Sequence, residues 1–226
     1  MQEPPAVELI LASASPRRAT ILGMLGLAPR VVAPIDAERP HDGLQDPAAY
    51  ATDQALAKLR PAAEEAPGAV VVAADTVVVL DGRVLGKPGD AGAARAMLGE
   101  LSGRTHEVIT GVAVGLEGRE RAGFDRTRVN FRPLSAGAIH GYVATGAPLD
   151  KAGAYGIQDR GAALVRSVEG CFYNVMGLPV GRLLELLAEL GVGYDPGSGM
   201  LTQRGTGGDG ESRAAQAPGR GSSAST

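Results

Sequence analysis

A chain of 226 residues with 44% hydrophobic and 21% charged residues carries enough apolar material for one folded domain with its own core. Its 22 Lys and Arg against 25 Asp and Glu leave a formal charge of -3 and no basic stripe, which argues against a nucleic-acid platform. A single cysteine, Cys171, builds neither a disulfide framework nor a metal knuckle, no apolar run suits a membrane span, and the opening Met-Gln-Glu-Pro-Pro has no secretory character. The expectation is a cytoplasmic protein with no membrane and no nucleic acid among its partners.

Residues 7–12 form a short apolar run suited to a buried strand, and Ser13-Ala-Ser-Pro-Arg-Arg follows. With Ser15 at the N-cap and Pro16 at the first helical position, this segment reads as strand, tight loop and helix N-terminus, the helix ending at Gly26. Residues 30–33 suit a second strand. Asp46-Pro47 opens a helix that carries Lys58 and is expected to end near Pro61. The run 69–74 ends at Asp75-Thr76, and 77–80 leads into Asp81-Gly82, a strong hairpin signal that predicts a return strand over 83–86. Asp90 caps a helix with Ala94, Met97, Leu98 and Leu101 on one face. Strands follow over 105–116 and 119–131, joined at Glu117-Gly118, and Ser135 caps a further helix up to Gly146. Residues 162–168 read as a strand, and Pro179 opens a last amphipathic helix closed by Gly191.

Helices alternate with strands early and hairpins follow, so the fold class is α/β with a mixed sheet and flanking helices. Residues 1–196 are expected to form the domain. Residues 197–226 are rich in Gly and Ser with almost no apolar anchor, and are expected to be disordered.

Three segments carry chemistry. Ser13, Ser15, Arg17 and Arg18 surround a helix N-terminus, where unsatisfied N–H groups and a partial positive charge suit phosphate oxygens; a capped helix with two solvated arginines would read the same way. Asp75 and Thr76 end an apolar run, where ligand sites of α/β folds gather, and hairpin return through Gly86-Lys87-Pro88 would bring Lys87 back toward them. A carboxylate there can hold a divalent cation or take a proton from water, or simply cap a turn above a surface lysine. The glycine-interrupted stretch from Asp150 to Gln158 lets backbone approach a ligand, and the Gln158 amide both donates and accepts; a plain loop is equally glycine-rich. His106 reads as a structural strand residue and Cys171 lacks the histidine partner of a thiol nucleophile.

Taken in order, Ser13 to Arg18, Asp75-Thr76, Gly86-Lys87-Pro88 and Lys151 to Gln158 resemble the Maf family of nucleoside triphosphate pyrophosphatases, joined by Leu101-Ser-Gly-Arg-Thr-His106, Thr110-Gly111, Gly170 to Val175 and Gly177-Leu-Pro179. The resemblance covers about Leu9 to Gly191, and Arg17, Thr76 and Gln158 match the subgroup acting on dTTP and UTP rather than the one acting on 7-methyl-GTP. It implies two lobes around a deep cleft, similar to the inosine triphosphate pyrophosphatases, and hydrolysis of a nucleoside triphosphate to the monophosphate and pyrophosphate. By the same resemblance Ser13, Ser15, Arg17 and Arg18 hold phosphates, and Lys58 and Lys87 neutralise charge on the leaving group. Asp75 acts on the attacking water, Asp75 with Glu38 or Asp36 holds Mg2+ or Mn2+, and Thr76 and Gln158 read the base. The chain departs from the pattern at Ile35-Asp36-Ala37-Glu38 and at Leu59 after Lys58. The alternatives are a pyrophosphatase for 7-methyl-GTP or another modified nucleotide, and a non-catalytic nucleotide-binding regulator of cell division; a homodimer is compatible with all of them.

Overall fold

The computed structural model describes residues 7–34 and 39–203. In chain order these form β1 (Leu9–Ala12), α1 (Pro16–Met24), β2 (Arg30–Val32), α2 (Pro47–Glu65), β3 (Val70–Leu80), β4 (Arg83–Leu85), α3 (Ala91–Leu101), β5 (Thr105–Leu116), β6 (Arg119–Phe131) and α4 (Ala136–Val143). After 3-10 turns at Ala152–Ala154 and Asp159–Leu164 come β7 (Val165–Glu169), α5 (Phe172–Met176), α6 (Val180–Glu189), β8 (Val192–Asp195) and β9 (Met200–Gln203). Seven strands make one mixed sheet in the order β2-β1-β3-β5-β6-β7, with β4 also on β3, while β8 and β9 form a separate hairpin. β1 runs parallel to β2 and β3, and the other pairings are antiparallel. Among the described residues no helix is long and apolar enough to cross a membrane.

Local chemistry accounts for most boundaries. The Asp46 carboxylate accepts from the Ala48 and Ala49 amides and Asp90 accepts from Ala93, closing the N-termini of α2 and α3. The turns at Asp81-Gly82 and Glu117-Gly118 have positive φ at both residues, the conformation that matches the twist of a two-residue hairpin. Four expectations need correction. First, α2 continues through Pro61 to Glu65, because the lost N–H costs one bond while Leu59 and Ala62 stay buried against the sheet. Second, the apolar runs on either side of Asp75-Thr76 are one continuous strand, β3. Third, residues 162–164 lie in a 3-10 turn, and the strand starts at Val165. Fourth, β9 lies within the segment expected to be disordered. Leu201 is buried in the main core cluster and the Tyr194 hydroxyl donates to the Leu25 carbonyl, so the hairpin docks at the end of α1. Residues 204–226 lie outside the described residues.

Two features of β3 make the cleft. β5 lines one edge from Val71 to Val79. On the other edge β1 pairs only as far as Ala73, and β4 begins at Val78, so residues 74–77 have no ladder partner on that side. The core divides at the same place. On one face Val70, Val72 and Ala74 join one cluster with Leu11, Ile21 and Leu187, and Val78 and Leu80 join another with Leu98 and Phe131. On the opposite face Val71 and Ala73 pack with Ala55 and Leu59, and Val77 and Val79 with Ala48 and Ile109. By the alternation of a strand, Thr76 falls in the gap on the first face and Asp75 in the gap on the second.

Candidate active site

A cleft of about 320 Å³ opens at this gap and is lined by Ser13, Ser15, Arg17, Arg18, Lys58, Asp75, Thr76, Lys87 and Gln158. Nine of the ten residues singled out in the sequence thus come together. The tenth, Glu38, and its alternative Asp36 lie outside the described residues.

Each wall is set by an element end. β1 delivers Ser13, whose hydroxyl accepts from the Ser15 amide at 3.1 Å and from Arg18 Nη1 at 2.9 Å. Ser15 is the N-cap of α1 but makes no side-chain capping bond, and no acidic residue stands in the first turn, so the positive end of the helix is not offset. Arg17, half-buried, makes no hydrogen bond or ion pair among the described residues. Arg18 is buried and braces the cleft: Nε donates to the Gly177 carbonyl at 2.8 Å and Nη2 to Thr76 Oγ1 at 3.2 Å, besides the bond to Ser13.

On the other side, Lys58 Nζ donates to Asp75 Oδ1 at 2.6 Å, with the two side chains only 6% and 13% exposed. This pair depends on how closely α2 lies over the sheet. Gly111 is the β5 residue paired with Asp75, and a Cβ there would stand 2.3 Å from the Ala51 carbonyl group. Only a glycine admits the helix at that distance. Lys87 follows β4, and the Gly86 carbonyl before it accepts from the Gly153 amide at 3.1 Å, tying the segment that carries Gln158 to the same rim. The Gln158 side chain makes no capping bond to the turn it precedes. Beside it, burial opposes ionisation of Asp150, but the hydrogen bond and charge of Lys151, with Arg17 near, hold that carboxyl below its ordinary value.

A chain of buried hydrogen bonds lies behind Thr76. Thr76 Oγ1 is 3.0 Å from Thr110 Oγ1, which donates to the Asn174 carbonyl at 2.9 Å. The Asn174 amide in turn donates to the Val108 carbonyl and to Thr127 Oγ1, both at 2.9 Å. The residue-by-residue reading of the sequence missed this network, although a threonine inside the apolar run Val108-Ile109-Thr110 was a usable signal. His106 is a structural strand residue in the fold as well. Its Nε2 lies 2.7 Å from the hydroxyl of Tyr155, a cleft-lining residue, and burial pushes the imidazole down to about 4.

A family model described as Maf-like protein matches residues 8–190. The chain belongs to the Maf-like protein family. It is similar to a protein of Symbiobacterium thermophilum named dTTP/UTP pyrophosphatase, with 48% identity covering 81% of this chain and 94% of that one. Proteins of the same name from Moorella thermoacetica (52% identity, 82% and 96% covered) and Myxococcus xanthus (50%, 81% and 93%) match over the same extent. A solved structure, the Ham1 protein of Staphylococcus aureus, aligns at 13% identity and a TM-score of 0.38, covering 55% of this chain and 71% of that one.

In this Maf protein the cleft is chemically polarised. Ser13, Ser15, Arg17, Lys87 and the start of α1 offer donors and positive charge, which suits a polyanion. Asp75 is an oxygen donor in the same space. Among the described residues no three His, Cys, Asp or Glu side chains cluster as a closed metal cage. A carboxylate beside an anion site fits Mg2+, which takes one or two protein carboxylates and completes its shell from substrate phosphates and water.

Proposed function

We propose that this chain hydrolyses dTTP and UTP to the nucleoside monophosphate and pyrophosphate, in the cytoplasm where these nucleotides are found. The observation that carries the reading is the Lys58–Asp75 pair held in the break of the sheet, facing the uncapped serine and arginine of the α1 N-terminus across one cleft. The high identity to proteins named dTTP/UTP pyrophosphatase supports the choice of substrate.

In the reaction, water adds to phosphorus at the α–β linkage and that phosphoanhydride bond breaks. Catalysis is then mostly positioning and neutralisation of charge. Ser13, Ser15, Arg17 and the first-turn amides of α1 hold phosphate oxygens, Asp75 takes the proton of the attacking water, and Lys58 fixes the orientation of that carboxylate. Lys87 balances the charge that collects on the departing pyrophosphate. Asp75, with Glu38 on the strength of the sequence resemblance, would hold Mg2+ or Mn2+, and the cation when bound neutralises phosphate charge. Thr76 and Gln158 read the base, while Arg18 keeps Ser13 and Thr76 in place. A homodimer is compatible with this reading.

The test is a panel of UTP, dTTP, CTP, GTP and 7-methyl-GTP with Mg2+ or Mn2+, detecting pyrophosphate separately from orthophosphate. Pyrophosphate release fastest from UTP and dTTP is the expected result. Orthophosphate as the first product overturns the reaction, and faster use of 7-methyl-GTP overturns the substrate.

A further inference from the structure

The protons of the network behind Thr76 can be assigned, and they fix what this residue presents to the cleft. Thr110 Oγ1 stands 2.9 Å from the Asn174 carbonyl oxygen, which cannot donate, so the single hydroxyl proton of Thr110 lies on that contact. Thr110 is then only an acceptor toward Thr76, 3.0 Å away, and the proton between them comes from Thr76. Arg18 Nη2, which carries only donors, occupies one acceptor position of the same Thr76 oxygen at 3.2 Å. The other arrangements leave two oxygens about 3 Å apart with no proton between them. The Thr110 hydroxyl and the Asn174 carbonyl are buried, where such an unmade bond costs most.

We infer that the network makes Thr76 an obligate acceptor toward the cleft, which lets it recognise the N3–H of uracil or thymine and reject cytosine. Thr110 is thereby a specificity-determining positioning residue that need not touch the substrate. This inference rests on the proposed pyrimidine substrate. A triphosphate offers only acceptors along its phosphates, so an acceptor-only wall disfavours that end of the molecule. N3–H is the donor that uracil and thymine share; cytosine carries a bare acceptor at N3 and would meet Thr76 lone pair to lone pair. Gln158, whose amide both donates and accepts, is left to read the flanking carbonyls.

The experiment compares wild type, Thr110→Val, Thr110→Ser and Thr76→Val. Binding of the non-hydrolysable α,β-methylene analogues of UTP, dUTP and CTP is measured by calorimetry, beside kcat/KM for the three triphosphates. In Thr110→Val the Thr76 proton loses its acceptor and can turn to a substrate lone pair, so the preference for uracil over cytosine falls by about tenfold or more in both measurements. Thr110→Ser keeps the hydroxyl and keeps the preference. Should Thr110→Val not fold, Thr76→Val removes the acceptor itself and must collapse the same ratio. A preference unchanged in Thr110→Val or in Thr76→Val overturns the inference, as does a change confined to the UTP to dUTP ratio, which would place Thr76 on the ribose. Wild type that binds the uracil analogue over the cytosine one without releasing pyrophosphate leaves the inference standing and defeats the proposed reaction; wild type that binds both equally defeats the inference.

Discussion

Replacing Asp75 by Asn separates the chemical role of this residue from its structural one. The substitution keeps shape and leaves an amide oxygen able to accept from Lys58, which now donates to Asp75 Oδ1 at 2.6 Å with both side chains almost wholly buried. Two unit charges at such range attract by about 6 kcal/mol at an effective dielectric near 20, but desolvation of both offsets most of this. Removing one partner of a buried pair outright costs about 3–5 kcal/mol, so an isostere that keeps the hydrogen bond should cost nearer 1–3 kcal/mol. For a domain of this size that lowers Tm by several degrees and leaves the protein folded at assay temperature. Turnover behaves differently. An amide cannot take the proton of the attacking water, so kcat falls by roughly 100- to 10,000-fold, or about 3–5 kcal/mol of barrier. KM carries two opposed changes, the removal of a negative charge next to the triphosphate and the loss of a carboxylate ligand for the cation, so it moves far less than kcat. Thermal melts, circular dichroism and pyrophosphate release read the three quantities separately. A folded Asp75→Asn protein with turnover within about tenfold of wild type would remove Asp75 from the role of base.

His106 sets a pH dependence: its imidazole protonates near 6.5 in the unfolded chain and near 4 in the fold. Between those values the unfolded state binds the extra proton, so stability falls by roughly 3 kcal/mol as pH drops through that window; the slope of Tm against pH should flatten there in His106→Gln, and an equal slope refutes the assignment. Ending the chain after residue 196 deletes β9 and uncovers the site of Leu201, which is 4% exposed. Burial of one leucine is worth about 1.5–3 kcal/mol, so Tm should fall by about 5 °C or more, and an unchanged Tm would show that the hairpin does not dock. Gly111→Ala must push α2 off the sheet, because its Cβ meets the Ala51 backbone at 2.3 Å. A stability loss of about 1–3 kcal/mol with a larger fall in turnover is expected, the latter through the Lys58–Asp75 spacing; wild-type kinetics in this variant would mean that the pair tolerates the displacement.

Much of the fold was legible because its signals are local. β5 and β6 start and stop where alternation and the Glu117-Gly118 turn put them, and the caps at Asp46, Asp90 and Ser135 mark three helices. The gathering of Ser13, Asp75, Lys87 and Gln158 was legible for a related reason: each sits where a periodic pattern breaks. What was missed depends on contacts distant in sequence. The hairpin of β8 and β9 has one buried apolar anchor in β9, Leu201, whose worth comes from docking on α1. Pro61 reads as a helix stop until the buried flank of α2 is known. The bond from Thr110 to the Asn174 carbonyl spans 64 residues and follows from the packing of α5 over β5, which no spacing rule encodes.

The two polar residues in the middle of β3 are poorly explained as supports of the fold. A buried ion pair is weak support for stability, and apolar side chains of similar volume across the gap between clusters would hold the sheet as well or better. What Asp75 and Lys58 supply instead is a carboxylate of fixed direction. The same strand supplies a hydroxyl of fixed direction one residue later, on the opposite face. Consecutive strand residues ordinarily serve separate environments, since one face of a sheet is closed off from the other. Here both line one cleft, because β1 has already left the edge of β3 and β4 has not yet joined it. The break in pairing is therefore what lets a single Asp-Thr step serve the proposed chemistry with one side chain and the proposed base recognition with the next. It also explains why the flanking strands are so short: another pair or two of residues in β1 or β4 would close the edge and separate the two functions.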